Sequence, residues 1–321
     1  MDDIKSNIQS AIETVQKIKH EVLKAIIGQE ETVNQLLIGL LSGGHILLEG
    51  VPGVAKTLMA KSLAASLAIK FKRIQFTPDL LPGDITGTSI FNPKSLDFEF
   101  REGPVFCNVL LIDEVNRAPA KTQAALFEVM EEKQITSDGF SRVLTAPFLV
   151  VATQNPIEHE GTYRLPEAQL DRFLLKVIVD YPNEKEEIEV LQLHNKNHQS
   201  DLSKGVNAVC QAQELIDAQH AAQGVFVSGE LIQYITALVR ATRNFEGIYL
   251  GASTRAGIAL LTASKAQALL NGNDYVKPDD VKKMIYPVMR HRILLSGEKE
   301  IEGMDADKMI ELVLNKVQIP R

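Results

Sequence analysis

The stretch EGVPGVAKT, from Glu49 to Thr57, decides the fold because it has the pattern of a phosphate-binding loop. The general pattern of such a loop is Gly, four further residues, and then Gly-Lys-Ser/Thr. Gly50 opens the loop and Lys56 occupies the lysine position, but Ala55 stands where the second glycine is usual. Because the backbone N–H groups of this loop type surround phosphate oxygens, the stretch predicts a nucleotide-binding site.

The sequence on either side of the loop supports this prediction. The apolar run Ile46-Leu47-Leu48 precedes the loop as a buried strand would, and apolar residues from Leu58 to Leu67 recur at helical spacing after it. Pro52 occupies the second glycine position of the dinucleotide pattern G-x-G-x-x-G and so excludes that pattern. An ordinary strand-to-helix turn is the remaining alternative. The residues predicted to bind nucleotide are Gly50, Val51, Pro52, Gly53, Val54, Ala55, Lys56, Thr57 and Leu58.

We make a separate prediction for each of three residues of the loop. The Lys56 ammonium group is expected to reach the terminal phosphates, and the Thr57 hydroxyl is expected to bind Mg²⁺. Ala55 bears on the backbone, because a left-handed conformation costs an alanine about 1–2 kcal/mol. We therefore predict a negative φ angle at Ala55, with its methyl group turned away from the phosphates.

Buried strands alternate with helices in the first part of the chain. The continuous apolar runs Ile46–Leu48, Val109–Ile112 and Phe148–Ala152 are typical of parallel strands that are covered on both faces. Helical spacing separates these runs, and an amphipathic helix from Ile4 to Val22 precedes them. The pattern predicts an α/β fold, a P-loop αβα sandwich with a parallel sheet.

The pattern changes after Tyr181-Pro182-Asn183, beyond which the sequence has helical spacing and no convincing buried strand. One of these helices is expected to begin at Lys277-Pro278-Asp279-Asp280, since proline and acidic residues favour the first turn. We place the boundary near Pro182. This gives a nucleotide-binding α/β domain at 1–182 and an all-α helical lid domain at 183–321.

Composition indicates a soluble cytoplasmic protein. The net charge of −7 and the pI of about 5.6 argue against a chain built mainly to coat nucleic acid. The two cysteines, Cys107 and Cys210, lie far apart in the sequence and are expected to be free thiols in a reducing compartment. The sequence has neither a signal-peptide core after Met1 nor an apolar run long enough to span a membrane.

Two acidic residues follow the second strand pattern directly. Asp113 and Glu114 end the run Val109–Ile112, and carboxylates at the end of a buried strand are costly to desolvate without partners. Mg²⁺ and an attacking water would supply such partners. Asp113 is predicted to support Mg²⁺ through its water shell, and Glu114 to orient and polarise the hydrolytic water. A solvated strand end is the alternative.

A polar residue also follows the third strand pattern. If the strands are neighbours, Asn155 lies level with Asp113 and Glu114, where its amide would contact both the γ-phosphate and the water. This placement predicts a sensing role for Asn155. Because Asn-Pro is a strong turn signal, a plain turn at Asn155-Pro156 is the alternative.

The motifs GVPGVAKT, LLIDEVNRA, ATQNP, LPEAQLDRF and GASTRAGIAL, in this order, resemble those of the MoxR family of AAA+ ATPases, a helix-2-insert group. The resemblance extends from Ile27 to the end of the helical region, and Phe76–Gly87 is similar to the family signature before the insert. In this family alanine is common before the loop lysine, which accounts for Ala55. Thr254 and Arg164 depart from the family pattern, because proline is frequent at both positions.

The resemblance implies ATP and Mg²⁺ as cofactors and assigns roles to four further residues. Arg172 matches the arginine that reaches the γ-phosphate of a neighbouring subunit, whereas a surface pair with Asp171 is the alternative. Arg255 matches the sensor-2 arginine of the lid, which touches nucleotide phosphate. Since a cation in the first turn of a helix is unfavourable without a nearby anion, that role agrees with its position. Ile27 and Gly28 would lie near the adenine, although they could equally cap a helix.

An insert is predicted at 84–105. The segment Asp97–Pro104 alternates apolar and charged residues, as a half-exposed strand does. In the MoxR family this insert projects from the sheet towards substrates or partners. A hairpin without any such role is equally consistent with the sequence.

The resemblance implies a ring-forming ATPase, a hexamer by expectation, in which lid movement remodels a client protein or a metal centre in chaperone-like maturation. It also implies a partner that contains a von Willebrand factor A domain.

Three alternative functions remain. They are a P-loop kinase of a small molecule, a nucleic-acid motor related to AAA+ helicases, and a nucleotide switch that binds nucleotide without hydrolysing it. The acidic composition disfavours the nucleic-acid motor.

Overall fold

The structure is a computed structural model that describes residues 2–156, 163, 165–196 and 202–319. Arg164, one of the two departures from the family pattern, lies outside these residues. The helices are α1 (Asp2–Leu23), α2 (Glu30–Leu41), α3 (Lys56–Ala65), α4 (Pro82–Thr86), α5 (Ala120–Glu132), α6 (Glu167–Leu170), α7 (Glu184–Lys196), α8 (Ala212–Gly224), α9 (Gly229–Arg243), α10 (Thr254–Leu270), α11 (Pro278–Met289), α12 (Gly297–Ile301) and α13 (Ala306–Lys316). The strands are β1 (Ile46–Glu49), β2 (Leu67–Ala68), β3 (Phe71–Gln75), β4 (Gly87–Asn92), β5 (Asp97–Glu102), β6 (Val109–Asp113), β7 (Gln134–Ser137), β8 (Phe140–Val143), β9 (Leu149–Gln154), β10 (Leu175–Ile178), β11 (Cys210–Gln211), β12 (Ile248–Leu250) and β13 (Leu294–Leu295).

Five strands form one parallel sheet in the order β10-β1-β9-β6-β3. The three strands predicted from apolar runs are confirmed as β1, β9 and β6, and they occupy the centre of the sheet. The edge strands β3 and β10 are additional to the prediction. Their sequences, FKRIQ and LKVI, include the charged residues Lys72, Arg73 and Lys176, so neither is a continuous apolar run.

Helices cover both faces of this sheet, which confirms the αβα sandwich. Successive side chains of a strand point to opposite faces. Leu110 and Val150 therefore pack with Phe127 of α5 in one core. Leu111 and Val151 lie in a second core on the other face, together with apolar residues of α1, α2 and α3.

The C-terminal region is helical, as predicted, and it shares the second core. Leu215 of α8, Leu260 of α10 and Met284 of α11 are fully buried there. Helix α1, although first in the sequence, packs against α8, α2 and α10. Pro182 lies between β10 and α7. The short strands of this region lie outside the main sheet, where β11 pairs with β2, and β12 with β13.

Two antiparallel hairpins project beside the main sheet. The first, β4–β5, lies within the region 84–105, and its second strand confirms that a strand forms there. The half-exposed character predicted for that strand is wrong, because all of its residues except Phe100 are exposed and the hairpin does not pack a face against the core. The second hairpin, β7–β8, was not among the predicted elements. The Ser89 hydroxyl donates a hydrogen bond to the Asp138 carboxylate, and the Arg142 guanidinium lies 3.9 Å from the centre of the Phe100 ring. The two hairpins therefore lie side by side.

Several smaller expectations are confirmed. Helix α11 begins at Pro278 with Asp279 and Asp280 in its first turn. Cys107 and Cys210 are buried free thiols, and burial raises the pKa of Cys107 to about 11 and that of Cys210 to about 12. None of the described helices has the length and apolar character needed to cross a membrane.

A buried histidine joins β1 to the rest of the first core. The backbone N–H of Val150 donates a hydrogen bond of 3.0 Å to Nδ1 of His45, and Nε2 of His45 lies 3.1 Å from the carbonyl oxygen of Met130. A neutral ring that is protonated on Nε2 satisfies both partners. Burial lowers the pKa of His45 to about 4.

This burial predicts a loss of stability in acid. The unfolded state takes up a proton at His45 below about pH 6.5, whereas the folded state does not do so until about pH 4. The free energy of unfolding should therefore decrease by about 3 kcal/mol between these pH values. Urea unfolding across this range should show a smaller pH slope for His45→Gln than for the unaltered protein. Equal slopes would contradict the assignment.

Candidate active site

The phosphate-binding loop joins β1 to α3 in a strained conformation. Ala55 has φ 62° and ψ 18°, which is the left-handed region, so the predicted negative φ at this residue is wrong. Helix α3 begins at Lys56 directly after it, and Gly53 also has a positive φ, of 88°. Successive N–H groups in such turns form a concavity that binds anions. The loop therefore keeps the glycine-like backbone at Ala55 at a cost of about 1–2 kcal/mol.

Close packing explains the first glycine of the loop. A Cβ atom on Gly50 would lie 2.4 Å from the carbonyl oxygen of Val179, so any other residue would push the loop away from β10. Lys56 donates hydrogen bonds to the carbonyl oxygens of Gly50 and Val51, the latter at 2.7 Å. Its ammonium group therefore lies inside the loop.

Oxygen ligands suited to Mg²⁺ meet where α3 approaches β6. The Thr57 hydroxyl donates a hydrogen bond of 3.0 Å to one carboxylate oxygen of Asp113, and the Thr153 hydroxyl lies 3.4 Å from the same oxygen. The other oxygen accepts a bond of 2.6 Å from Nε of Arg73 on β3. Asp113 is thus buried but surrounded by donors. Sequence reasoning did not identify Arg73 or Thr153, since nothing in the patterns showed that β3 and β9 flank β6.

Glu114 follows Asp113 in a second strained position, with φ 57° and ψ 55°. Its backbone N–H donates to the Thr153 hydroxyl at 3.0 Å. One oxygen of its carboxylate accepts a bond of 2.8 Å from the Gln75 amide and lies 3.0 Å from Nε of Arg117. A non-glycine residue in the left-handed region is uncommon and is concentrated at functional sites. Because of this conformation, the chain turns at Glu114 and does not continue in the direction of β6.

Asn155 lies at the same edge of the sheet. It is buried directly after β9, the strand that pairs with β6. The structure thus brings together the ends of β1, β6 and β9, which carry the loop, the acidic pair and Asn155. The condition under which we predicted their proximity, that the strands are neighbours, is met.

An apolar pocket of about 110 Å³ adjoins the loop. Ile27 lines it together with Gly53, Ala55 and Leu58. Gly28 is close by with a positive φ of 65°, and a Cβ atom on it would lie 2.4 Å from the Glu186 carboxyl carbon. Ile27 and the loop therefore line an apolar pocket next to the phosphate site, where the planar face of a nucleotide base would pack.

The two predicted arginines lie at the opposite edge of the sheet from the loop. Arg172 and Arg255 line a common cavity with residues 42–45, which precede β1, and with Leu174, which precedes β10. The loop instead follows the carboxyl end of β1. Because a strand rises about 3.3 Å per residue, the length of β1 alone separates the two edges by roughly 13 Å.

A network of acidic residues holds these arginines together. Nε of Arg172 lies 3.1 Å from the Glu131 carboxylate, which also binds the guanidinium of Arg255. Asp171 lies 3.7 Å from Arg255 and accepts a bond of 2.6 Å from the buried Arg292. The alternative pairing, Arg172 with Asp171, is not the one the structure has. Sequence reasoning missed Glu131 and Arg292, because they come from α5 and from the turn between α11 and β13, which are distant in the sequence from both arginines.

The loop, the parallel sheet and the helical region together define a nucleotide-binding ATPase of the AAA class. Residues 45–175 match the ATPase family associated with various cellular activities (AAA), and residues 240–313 match the AAA lid domain. A crystallised protein from Cytophaga hutchinsonii, described as a candidate ATPase, has a TM-score of 0.91 and 43% sequence identity. That likeness covers 100% of this chain and 99% of the other.

Relatives of similar length identify the family more closely. The chain is 42% identical to chaperone MoxR1 of Mycobacterium tuberculosis, over 98% of this chain and 84% of that protein. It is 32% identical to protein MoxR of Paracoccus denitrificans, over 86% of this chain and 87% of that protein. The chain belongs to the MoxR family of AAA+ ATPases.

The residues present fit the cofactors that this family uses. The concave loop backbone and the Lys56 ammonium group suit phosphate oxygens. The Thr57 hydroxyl and the Asp113 carboxylate, 3.0 Å apart, are hard oxygen ligands of the kind that Mg²⁺ prefers. When bound with the nucleotide, Mg²⁺ would neutralise charge on the phosphates.

The backbone at Ala55 predicts the effect of two substitutions. Ala55→Gly should leave the free energy of unfolding within about 1 kcal/mol of its present value, because relief of the left-handed strain offsets the added chain entropy. Ala55→Val should lower it by more than about 1 kcal/mol, since a β-branched side chain is disfavoured there. Urea unfolding would measure both variants. The reverse ranking would contradict the left-handed conformation.

Proposed function

We propose that this ATPase hydrolyses Mg-bound ATP within a hexameric ring in the cytoplasm and uses the energy to remodel or mature a partner protein or its metal centre. MoxR-type AAA+ ATPases form oligomeric rings, which supports the assembly. The observation that carries the proposal is the position of the acidic pair. Asp113 meets the Thr57 hydroxyl of the loop, and Glu114 follows it at the sheet edge where the phosphates would lie.

Each residue at this edge has a separate role in the proposal. The loop backbone and Lys56 bind the phosphates, while Thr57 and Asp113 hold Mg²⁺, Asp113 through its water shell. Glu114 accepts the proton of the attacking water, and Asn155 orients that water against the γ-phosphate. The Gln75 amide, 2.8 Å from Glu114, fixes the direction of the carboxylate.

The position of the arginines supports a shared active site. Arg172 and Arg255 lie at the edge of the sheet opposite to the loop of their own chain. A ring closes through contacts between two different surfaces of the chain, and we propose that this edge meets the loop of the next subunit. We therefore assign both arginines to the γ-phosphate held by the neighbour. Glu131, which pairs with both, keeps them in position.

The client is proposed to be a protein, and the family resemblance suggests one with a von Willebrand factor A domain. One relative, MoxR1 of Mycobacterium tuberculosis, is named as a chaperone. The two hairpins expose Ile90, Phe91, Phe98 and Phe140, a set of large apolar side chains suited to a protein surface. The acidic composition disfavours nucleic acid as the client.

Glu114→Gln is expected to preserve ATP binding and to reduce hydrolysis about 10²-fold or more, because the amide cannot accept a proton from water. Lys56→Ala should weaken ATP binding itself, since it removes the cation from the loop. Fluorescent-nucleotide titration and phosphate release would separate the two effects. Unchanged turnover in Glu114→Gln would show that Glu114 is not the general base.

Arg172→Ala is expected to retain ATP binding and to lose hydrolysis about 10³-fold or more. A mixture of Arg172→Ala and Glu114→Gln subunits should regain activity, because some interfaces then combine an intact Arg172 with an intact Glu114. The same mixture made with Arg255→Ala tests the second arginine, and Arg101→Ala on the exposed hairpin is the matched control. Rings that form without any recovery would contradict action between subunits.

A further inference from the structure

An apolar groove of about 370 Å³ runs between α9 and α10. Ile232 and Ile258 are exposed along it, and Val239 forms part of its floor. The charged residues that line it are both arginines, Arg240 and Arg243, and no described acidic residue forms an ion pair with either. The groove is therefore an apolar surface with a positive rim.

Helix α7 has the opposite character. Ile188 and Leu191, three positions apart, form an exposed apolar stripe, and Leu191 is 70% exposed. The exposed residues Glu184 and Glu187 lie on the same side or next to it, because residues three and four apart are neighbours on a helix. The opposite side of α7, at Val190, faces the pocket beside the phosphate-binding loop.

We propose that the groove between α9 and α10 is a subunit interface and that its occupant is α7 of the neighbouring copy of this chain. The exposed stripe of α7 supplies the apolar face that such a groove takes from an amphipathic helix. The glutamates in the first turn of α7 match the arginine rim of the groove. This pairing covers two apolar surfaces and places the glutamates of one copy against the arginines of the other.

The interface agrees with the positions of the two sites. Ile258 lines both the groove and the cavity that holds Arg172 and Arg255, so the groove is continuous with the arginine face. Helix α7 lies beside its own phosphate-binding loop. A neighbouring α7 that docks in the groove therefore carries its loop towards these arginines. The contact uses different surfaces on the two copies, which is the type of interface that closes rings.

The inference rests on the ring assembly proposed above and is tested by assembly, not by catalysis. Leu191→Asp and Ile258→Asp each place an uncompensated charge in the interface and should weaken ring assembly about tenfold or more. Ile301→Asp, at a 90% exposed position outside both surfaces, is the matched control and should assemble normally. Mass photometry in ATP, on the Glu114→Gln background, would measure the assemblies.

Mixing the two variants gives a sharper readout. A Leu191→Asp chain has an intact groove and an Ile258→Asp chain has an intact α7, so an equimolar mixture should form heterodimers but no closed rings. Leu191→Cys chains oxidised together with Ile258→Cys chains should likewise yield a single cross-linked dimer, since the native Cys107 and Cys210 are buried. Cross-linking of either variant with itself would contradict the proposed pairing.

Exchanging the charges of the two surfaces controls for variants that fail to assemble only because they are misfolded. Arg240→Glu or Glu187→Arg alone should weaken assembly, and the two together in one chain should restore it.

The outcomes separate this interface from the shared active site. Normal ring assembly by Ile258→Asp and Leu191→Asp would overturn the interface. Recovery of hydrolysis in the mixture of Arg172→Ala and Glu114→Gln subunits would still support an active site shared between subunits. A protein client captured by the unaltered chain but not by Ile258→Asp, with rings intact, would assign the groove to that client. If the unaltered chain forms no rings in ATP, both proposals fail.

Discussion

The hydrogen bond between Thr57 and Asp113 is the contact on which the candidate site depends. It joins the first turn of α3 to the end of β6, although 56 positions separate the two residues in the chain. The bond requires the strand order of the sheet, in which β9 separates β1 from β6 and contributes Thr153 to the same carboxylate. A change in strand order would therefore remove the oxygen ligands for Mg²⁺ as well as alter the fold.

The central part of the fold could be predicted from the sequence, and the edges could not. Strands β1, β6 and β9 are buried on both faces, so their sequences are continuous apolar runs. The edge strand β3 has a half-exposed face that carries Arg73 and Gln75, and it lacks such a run. The contacts of these two residues with Asp113 and Glu114 depend on the pairing of β3 with β6. Sequence periodicity holds no information about which strands pair.

The failure at Ala55 has a physical cause that Glu114 shares. Both residues have left-handed backbones that local preference disfavours, and both lie where the sheet edge meets the phosphate site. Prediction from local preference assigns each residue its least costly conformation. At this edge, the packing of Gly50 against β10 and the start of α3 both fix the path of the loop. The free energy of these contacts offsets the cost of the strained conformation. A residue-by-residue rule therefore fails where several elements constrain one short segment.

The shared core limits how the lid can move in the proposed cycle. Helices α8, α10 and α11 bury their apolar faces in the same core as α1, α2 and one face of the sheet. A wide opening of the lid would expose much of that core, at about 25 cal/mol for each Å² of apolar surface. Arg255, at the start of α10, is therefore nearly fixed relative to its own sheet. In the proposed ring, movement is less costly at the contact between subunits, where a neighbour's loop meets this arginine face.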